Sequence, residues 1–425
     1  MRILSFSYCL PNHQNPTWGI HVFQRMAAVP RRPGMELQAV GPVPTFPLVG
    51  RLRGWPGPVT ETWEGLTVHR PRFFYIPKVW KSLDGRLYGR GLRRWLAGVC
   101  RKWRPDVLDA QFEWPDGVGV SHLSRSAGIP YTITLSGWLY ECMEHPRMLR
   151  QCVEAMQAAA AIISVSNHLA ETAVELGVLP EKTYVIPNGV DTARFYPRDK
   201  TEARRELGLP TDARLLVTVA HLGPRKGHRE TVQALASLPS DVRLVLVGSD
   251  TQGGGKNERA LRQLIEQLRL GSRVIFAGQQ PYERIPLYFT AADVSVLASW
   301  REGCPNVVLE SLASGTPVVG SDVGHVSVMI EDGRNGKIVP PRQAEPLAEA
   351  IKELLDQPPS PEEVRKSSAV QSWDDVAAAI CDTLRHALQR DRLGDSRNEQ
   401  VGDVTADPQG RARSTPPSET SLTCR

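Results

Sequence analysis

The amino-acid sequence predicts an α/β protein made of two doubly wound domains, and three observations lead to this prediction. Short apolar runs alternate with longer segments of helical spacing, a pattern typical of βαβ units and parallel sheets. The alternation runs as far as residue 186 and begins again at residue 215. The chain has 425 residues, which is more than one hydrophobic core usually organises, so two domains are expected.

The first domain is predicted to span residues 1–190. Its strands are predicted at apolar runs closed by a polar or glycine-containing break, namely residues 3–8, 107–111, 131–135, 160–165 and 183–186. Two segments between these runs, 117–127 and 148–159, carry apolar residues at helical spacing. The change to the second domain is expected between Pro187 and Pro197.

The second domain, predicted over residues 191–360, restarts the alternation. Its strands are predicted at residues 215–220, 242–247, 274–276, 294–297 and 317–320. Its helices are predicted at residues 229–238, 258–268, 306–314 and 344–355. A proline-rich stretch at residues 357–362 leads into residues 361–389, which are predicted to form a linker and a helix at 373–389 that returns to the first domain. The polar tail over 390–425 has almost no large apolar residue, so we expect it to be disordered.

Composition indicates an ordinary globular protein, with 41% hydrophobic and 23% charged residues and a net charge of only +5. The seven cysteines are odd in number and no pair has metal-ligand spacing, so we expect reduced thiols and no metal site. The N-terminal apolar run is too short for a signal peptide, and no stretch has the length of a membrane-spanning helix. A cytoplasmic protein is predicted, either soluble or peripherally attached to a membrane.

The segment from Arg301 to Glu310 carries the strongest chemical signal. It reads Arg-Glu-Gly-Cys-Pro-Asn-Val-Val-Leu-Glu and joins a predicted strand to a predicted helix. Glu302 would lie on the loop, in the crevice outside the strand ends where open α/β sheets bind ligands. Glu310 would lie about one turn inside the helix, and its carboxylate could accept bonds from ribose hydroxyls. The N–H groups at the start of this helix would attract phosphate. The alternative is a capped helix with two solvated acids.

Two further segments are informative. Residues 185–191 read Val-Ile-Pro-Asn-Gly-Val-Asp, a strand that runs into an Asn-Gly turn. Residues 219–227 read Val-Ala-His-Leu-Gly-Pro-Arg-Lys-Gly and follow the first strand of the second domain. Arg225 offers a planar fork and Lys226 a point charge, which together suit a diphosphate. A solvated basic turn is the alternative for an isolated Arg-Lys pair.

These segments resemble the retaining, nucleotide-sugar-dependent glycosyltransferases of family 4, also called group 1 glycosyltransferases. The resemblance covers residues 1–385 and is strongest over residues 185–319. It implies a GT-B fold, in which two Rossmann-like domains face a central cleft and a C-terminal helix crosses back to the first domain. It also implies that Glu302 orients the donor sugar and Glu310 holds the ribose, while Lys226 and Arg225 stabilise the leaving diphosphate.

The resemblance also implies further donor-binding residues. Gly19 lies on the loop after the first strand, whose backbone faces the donor phosphate, although an ordinary turn glycine is the alternative. Asn306 and Val307 begin the helix that carries Glu310. Phe276 and Gly278 belong to a segment whose backbone reads the nucleotide base, and packing is the alternative there.

The sequence departs from the family pattern at two donor-binding positions. Ser136 stands where many members carry a His near the sugar, and a Ser cannot act as a charged acid. His221 stands where the family has an Arg, so it would contact phosphate only when protonated. The segment 323–328 also lacks a second glycine and an acid. These departures motivate one alternative, a non-catalytic GT-B protein that binds a nucleotide sugar or a partner enzyme.

Basic and aromatic residues concentrate over residues 51–104. Thirteen Lys and Arg residues stand against three acids, with nine aromatic residues interleaved. This composition suits docking onto an anionic membrane surface, and a solvated face over an aromatic core stripe is the alternative. No nucleic-acid motif accompanies the charge, so we expect no nucleic-acid partner.

Together these observations predict a retaining glycosyltransferase that uses a nucleotide-sugar donor, UDP- or GDP-linked, and needs no cofactor or metal. Its acceptor would be a lipid-linked or glycan hydroxyl, in cell-surface polysaccharide or glycolipid biosynthesis. We expect a cytoplasmic protein with peripheral contact at the inner face of the cell membrane.

Overall fold

The computed structural model describes residues 1–13, 15–45, 58–76, 80–250, 253–368 and 370–402, with side chains as far as residue 391. The disorder predicted for residues 403–425 lies outside these residues. Two sheets organise the described part of the chain, one in each half of the sequence. This confirms the predicted α/β architecture of two parallel-sheet domains.

The first sheet has eight strands in the order β10-β9-β8-β7-β1-β2-β5-β4, and β3 pairs separately with β6. All neighbouring pairs are parallel except the β4/β5 hairpin. The strands are β1 (Arg2–Phe6), β2 (Glu36–Val40), β3 (Val43–Thr45), β4 (Thr60–Trp63), β5 (Leu66–His69), β6 (Arg72–Phe74), β7 (Val107–Ala110), β8 (Tyr131–Leu135), β9 (Ala161–Ser164) and β10 (Thr183–Val185).

Strands β2 to β6 were absent from the sequence prediction. The β4/β5 hairpin has a two-residue turn at Glu64 and Gly65, whose φ angles are +44° and +82°. A hairpin turn with two positive φ values is usually Asn-Gly or Asp-Gly, and a Glu at its first position hides that signal.

Helices cover both faces of this sheet. They are α1 (Ile20–Ala28), α2 (Asp84–Lys102), α3 (Val118–Ala127), α4 (Leu139–Met143), α5 (Pro146–Ala158) and α6 (Asn167–Glu175). Helices α2, α3 and α5 pack with Leu4 and Phe6 on one face, and α1 packs with Ile3 on the other.

The second sheet has six parallel strands in the order β13-β12-β11-β14-β15-β16. The strands are β11 (Arg214–Val219), β12 (Val242–Val247), β13 (Val274–Gly278), β14 (Val294–Leu297), β15 (Val318–Ser321) and β16 (Gly336–Val339). The helices are α7 (Lys200–Leu207), α8 (His228–Ser237), α9 (Lys256–Gln267), α10 (Ile285–Ala291), α11 (Asn306–Ala313), α12 (Val326–Met329) and α13 (Ala344–Asp356). The strand order reverses between β11 and β14, which is where doubly wound sheets bind ligands.

The chain ends with α14 (Pro361–Ser367) and α15 (Trp373–Gly402). Helix α15 packs on the first domain, where Ile380 and Leu384 join Phe23 of α1 in one buried cluster. Helix α15 continues over residues 390–402, the first part of the predicted tail, and the limits of that tail stay a prediction. Arg390 explains part of this extension, since its guanidinium donates a 2.9 Å hydrogen bond to the carbonyl of Ala160.

The chain crosses between the domains at two adjacent places. The N–H of Val190 donates a 2.9 Å bond to the carbonyl of Gln371, and Val190 forms a parallel bridge with Ser372. Gly189 allows this approach, because a Cβ there would lie 2.9 Å from the nitrogen of Trp373. The domain limits at residues 190 and 360 stay predictions.

Candidate functional site

A cavity of about 540 Å³ lies at the carboxyl ends of the two sheets. Its first-domain wall consists of residues that follow β1, β7 and β8, and its second-domain wall follows β11, β12, β13 and β14. Eight of the eleven predicted site residues line it, namely Gly19, Ser136, His221, Lys226, Glu302, Asn306, Val307 and Glu310. The strand ends thus bring together groups that are far apart in the sequence.

Lys226 and Glu302 meet inside this cavity. The Nζ atom of Lys226 lies 2.6 Å from Oε1 of Glu302, and both side chains are mostly buried. Gly227 follows with φ of +68°, and a Cβ there would lie 1.9 Å from the carbonyl oxygen of Ala298. Only glycine therefore lets the Lys226 loop pack directly against the end of β14.

The loop that carries Glu302 is fixed by the segment after β15. Gly324 has φ of +60°, and a Cβ there would lie 2.2 Å from the carbonyl oxygen of Glu302. The N–H of His325 donates a 2.9 Å bond to the carbonyl of Gly303. The segment 323–328 thus supports Glu302 with one glycine, and the second glycine of the family pattern is not needed for this contact.

Glu310 is buried in the second turn of α11, with only 3% of its side chain exposed. The hydroxyl of Tyr282 donates a 2.9 Å bond to its Oε1 atom, and Nε2 of His21 lies 3.7 Å from the same atom. Burial raises the pKa of Glu310 to about 8 and lowers the pKa of His21 to about 4. At neutral pH the folded protein therefore favours the protonated form of this carboxyl.

The first domain contributes the N-terminus of α1. Gly19 precedes this helix with φ of +70°, and a Cβ there would lie 2.1 Å from the carbonyl oxygen of Cys9. Arg25, further along α1, is buried and donates long bonds to Ile186 (3.4 Å) and to Oδ1 of Asn188 (3.5 Å). Burial lowers the pKa of Arg25 to about 10, so it remains a cation under the cavity at neutral pH.

Asn188 links the two walls of the cavity. Its Nδ2 atom donates a 2.8 Å bond to Oδ1 of Asn306, the first residue of α11. The Asn-Gly turn at residues 188–189, interpreted from the sequence as structural, therefore also orients a residue of the site.

Ser136 and His221 do not supply charge to the site. The Ser136 hydroxyl donates a 3.0 Å bond to the carbonyl of Gln111, which joins the loops after β8 and β7. Burial, with Lys226 nearby, lowers the pKa of His221 below its usual value of 6.5. His221 is therefore neutral at neutral pH and does not replace the cation that the family has at this position.

Three predicted site residues lie outside the cavity lining. Arg225 is exposed and its Nη1 lies 3.2 Å from Oε2 of Glu141 in the first domain. Phe276 packs under the guanidinium of Arg262, 3.8 Å from the ring centroid. The carbonyl of Gly278 accepts a 2.8 Å bond from the N–H of Gly248, so the described geometry gives Gly278 a structural role.

Comparison with known proteins identifies the family. The model for glycosyl transferases group 1 matches residues 199–371, and the model for glycosyltransferase family 4 matches residues 48–194. The Bacillus subtilis protein TuaC, named as a putative glycosyltransferase of teichuronic acid biosynthesis, is 33% identical over 304 residues, which cover 69% of this chain and 72% of TuaC. The chain belongs to the group 1 glycosyltransferases.

A second relative of this glycosyltransferase is the D-inositol 3-phosphate glycosyltransferase of Acidothermus cellulolyticus. It is 36% identical over 252 residues, which cover 56% of each chain. The match thus spans little more than half of that relative.

Solved structures confirm the GT-B fold of the glycosyltransferase. Anabaena HepE, solved in complex with UDP and glucose, has a TM-score of 0.71 and 22% identity, covering 91% of this chain and 99% of HepE. Sucrose-phosphate synthase from Thermosynechococcus elongatus has the same TM-score of 0.71 with 24% identity, covering 95% of this chain and all of that structure.

Several residues of the glycosyltransferase cavity were missed from the sequence. They are Trp18, His21, Arg25, Asn188, Gln279 and Tyr282, all of which line it. Gln279 donates a 3.3 Å bond from Nε2 to Oγ1 of Thr17, and Tyr282 lies 3.5 Å from Oε1 of Gln24. Both contacts join the two domains. The pattern of residues within one segment of the sequence cannot predict contacts between segments so far apart.

Among the described residues, no group of three or more His, Cys, Asp or Glu side chains is placed to hold a metal ion. None of the helices in this part of the chain is both long and apolar enough to cross a membrane.

Proposed function

We propose that this glycosyltransferase moves a sugar from a nucleotide-sugar donor to a hydroxyl acceptor with retention of configuration. The observation that carries the proposal is one cavity lined by Lys226 and Glu302, which meet at 2.6 Å, and by the buried Glu310. A cation can neutralise a diphosphate, and carboxyl groups can accept hydrogen bonds from the hydroxyls of a sugar and of a ribose.

Each group has a proposed task. The start of α11, at Asn306 and Val307, and the ammonium of Lys226 stabilise the diphosphate as negative charge develops on it. Glu310 bonds the vicinal hydroxyls of the ribose. Glu302, held by Lys226, orients the transferred sugar. Arg225 is assigned no phosphate contact, because its guanidinium pairs with Glu141 outside the cavity.

The proposed reaction needs no covalent nucleophile, cofactor or metal. The bond between the anomeric carbon and the diphosphate oxygen breaks, and the acceptor oxygen bonds to the same face of the sugar. The acceptor proton passes to the departing diphosphate oxygen, so charge and atoms balance. Lys226 neutralises the charge that the diphosphate gains before this proton arrives.

The names of similar proteins support the choice of substrates. TuaC is named for teichuronic acid biosynthesis, and HepE was solved with UDP and glucose. We therefore propose a UDP-linked donor ahead of a GDP-linked one, and a glycan or lipid-linked acceptor in cell-surface polysaccharide or glycolipid biosynthesis.

A cytoplasmic location with peripheral membrane contact completes the proposal. Helix α2 exposes its arginines, and Phe74 and Trp80 nearby are 44% and 68% exposed. Arg51, Arg53, Trp55 and Lys78, which belong to the predicted membrane-binding range 51–104, lie outside the described residues.

A donor screen tests the proposed reaction. Purified protein is mixed with UDP-, GDP-, ADP- and CMP-sugars, and thermal stabilisation and nucleotide release are measured with membrane lipids as acceptor. Lys226→Ala is expected to lower release by about 10²–10³-fold, and Glu310→Gln to weaken donor binding. Lys352→Ala and Glu349→Gln, exposed on α13, are the matched controls.

The outcomes separate the candidate functions. One donor that stabilises the wild type, releases its nucleotide and loses both effects only in the cavity variants supports the proposal. Stabilisation without release supports the non-catalytic alternative. If no donor stabilises the protein, the site assignment is wrong.

A further inference from the structure

A second cavity, of about 560 Å³, lies on the first domain away from the donor site. It is a groove between α2 and α3, lined by Arg86, Arg90, Arg93, His122, Arg125 and Ser126. Four arginines and a histidine thus share one concave surface, and we call it the α2/α3 groove.

Glycines bring the two helices close enough to form this groove. A Cβ on Gly85 would lie 2.6 Å from Cγ1 of Val118, and one on Gly89 would lie 2.6 Å from Cβ of His122. From the first contact to the second, the position advances by four residues along both helices. Helices α2 and α3 are therefore parallel. Arg86, Arg90 and Arg93 follow one face of α2, and Arg125 lies one turn beyond His122 on α3.

The arginines of the groove have no local counter-charge. Residues 85–105 and 117–140 contain no Asp or Glu. Within the described residues, Arg86, Arg90 and Arg93 form no ion pair and no hydrogen bond to a side chain. Like charges at helical spacing destabilise a helix, so this arrangement costs stability unless an anion occupies the groove.

Asp84 and Asp116, the acids that directly precede these two segments of the sequence, have partners of their own. Asp84 pairs with Lys81 at 3.7 Å, and burial raises its pKa to about 6. Asp116 is buried and bonded to the N–H of Tyr8, and burial raises its pKa well above the usual range. Within the described residues, neither carboxyl forms an ion pair with an arginine of the groove.

His122 adds a neutral hydrogen-bond donor. Nη2 of Arg125 lies 3.1 Å from Nδ1 of His122, so Nδ1 accepts and the neutral ring carries its proton on Nε2. Burial and the charges of Arg125 and Arg86 keep the pKa of His122 below its usual value. A planar guanidinium group can donate two hydrogen bonds to the oxygen atoms of one phosphate, and the N–H of His122 can donate another.

We propose that the α2/α3 groove is a binding site for the phosphate group of an anionic lipid headgroup. A lipid is favoured over a soluble phosphate because exposed Arg94, Arg101 and Lys102 extend the positive surface along α2. Exposed Phe74 and Trp80 lie on the segments that lead into the same helix, where interfacial aromatic residues contact a bilayer. The inference deepens the proposed membrane contact by assigning it a built site that includes residues of α3.

Sedimentation with vesicles tests the groove. Full-length protein is incubated with vesicles of phosphatidylglycerol and phosphatidylcholine in equal parts, or with phosphatidylcholine alone, in the absence of any sugar donor. We expect binding to the anionic vesicles only. The double variant Arg90→Ala/Arg93→Ala is expected to bind at least about tenfold more weakly.

Two double variants with the same loss of charge serve as controls. Arg101→Ala/Lys102→Ala lies on α2 outside the groove lining, and Arg229→Ala/Arg259→Ala lies on the exposed surface of the second domain. We expect the Arg101/Lys102 variant to lose clearly less binding than the groove variant, and the second-domain variant to bind within about threefold of the wild type. If the Arg101/Lys102 variant loses as much binding as the groove variant, the attraction is diffuse and the built site is refuted.

A thermal-shift measurement with inorganic pyrophosphate distinguishes the source of the phosphate. If the wild type ignores anionic vesicles but is stabilised by pyrophosphate, and the groove variant is not, the lipid assignment is overturned in favour of a soluble phosphate. Absence of both effects overturns the site altogether. Because no sugar donor is present, failure of the proposed transfer reaction would not change either result.

Discussion

At the scale of single residues, the carboxyl group of Glu310 links burial to pH. Its pKa is raised from the ordinary 4.5 to about 8, because the charged form is excluded from water inside the cavity. Between these two values the folded state binds more protons than the unfolded state. The stability that this group contributes is complete below the unfolded pKa and is lost as the pH rises towards 8.

Replacement by an amide removes this pH dependence. The free energy of unfolding of the wild type, relative to Glu310→Gln, is expected to fall between about pH 5 and pH 8, by at most roughly 1.4 kcal/mol per pH unit. Urea unfolding of both proteins at several pH values measures it. Glu349→Gln, on the exposed face of α13, should follow the wild type. A constant difference between the wild type and Glu310→Gln would show that Glu310 is ionised throughout.

Gly19 offers a test of close backbone approach. In Gly19→Ala the new Cβ would meet the carbonyl of Cys9 at 2.1 Å, in addition to the strain of positive φ. Gly128 has a similar φ of +61° with no atom within 4 Å of a Cβ, so Gly128→Ala carries the strain alone. We expect the control to lose about 1–2 kcal/mol and Gly19→Ala to lose more, in urea unfolding. Equal losses in the free energy of unfolding would mean that the loop after β1 shifts to accommodate the new Cβ without further destabilisation.

At the scale of elements, α4 faces the two loops that carry the proposed reacting groups. Arg225 after β11 pairs with Glu141 at 3.2 Å, and Arg301 after β14 pairs with Glu144 at 3.3 Å. Each arginine directly precedes a residue of the cavity, Lys226 or Glu302. Helix α4 and the residue that follows it thus join both loops to the first domain through exposed ion pairs.

Charge reversal tests this contact. Arg225→Glu is expected to repel Glu141 and to lower nucleotide release several-fold, more at low salt than at high salt. The swapped pair Arg225→Glu/Glu141→Arg should recover most of the loss, because it restores an ion pair across the same gap. Steady-state release over a salt series measures both effects. An unrecovered swap would indicate that Arg225 contacts the donor itself.

At the scale of the whole molecule, α15 joins the end of the chain to the first domain. Leu384 is 1% exposed in the cluster that α15 shares with α1. Leu384→Ala is therefore expected to lower the free energy of unfolding by about 2–5 kcal/mol. Arg385→Ala, at an exposed neighbour that pairs with Asp382, should change it by less than about 0.5 kcal/mol. Equal small effects in urea unfolding would mean that α15 contributes little to the first domain.

The sequence predicted the repeated strands well because they are mainly continuous apolar runs, and most of these strands are buried on both faces. Strands β1, β7 to β10 and β11 to β15 correspond to such runs or to their extensions, whereas β16 was absent from the sequence prediction. The short strands β2 to β6 mix polar and apolar residues, and β4 shows only partial burial. Their place in the sheet depends on neighbouring strands rather than on their own composition.

The residues of the candidate site also divide into those that the sequence predicted and those that it missed. Lys226, Glu302 and Glu310 lie in continuous motifs at strand ends, and the cavity contains all three. Arg225 was expected beside Lys226, but adjacent residues of the short turn at residues 224–226 point to different surroundings. His21, Arg25 and Tyr282 owe their positions to contacts between distant segments, which only the folded chain displays.

The paired crossings at Val190 and Ser372 restrict how the two halves of the molecule can move. Two adjacent covalent connections joined by a backbone hydrogen bond behave as one pivot, which leaves a swing about that pivot as the motion of lowest cost. In any swing, displacement grows with distance from the axis. Asn188 is two residues from the pivot and bonds Asn306, so this pair is expected to move little when the two domains rotate. The loops of the cavity walls that lie farthest from Val190 are expected to undergo the largest displacement.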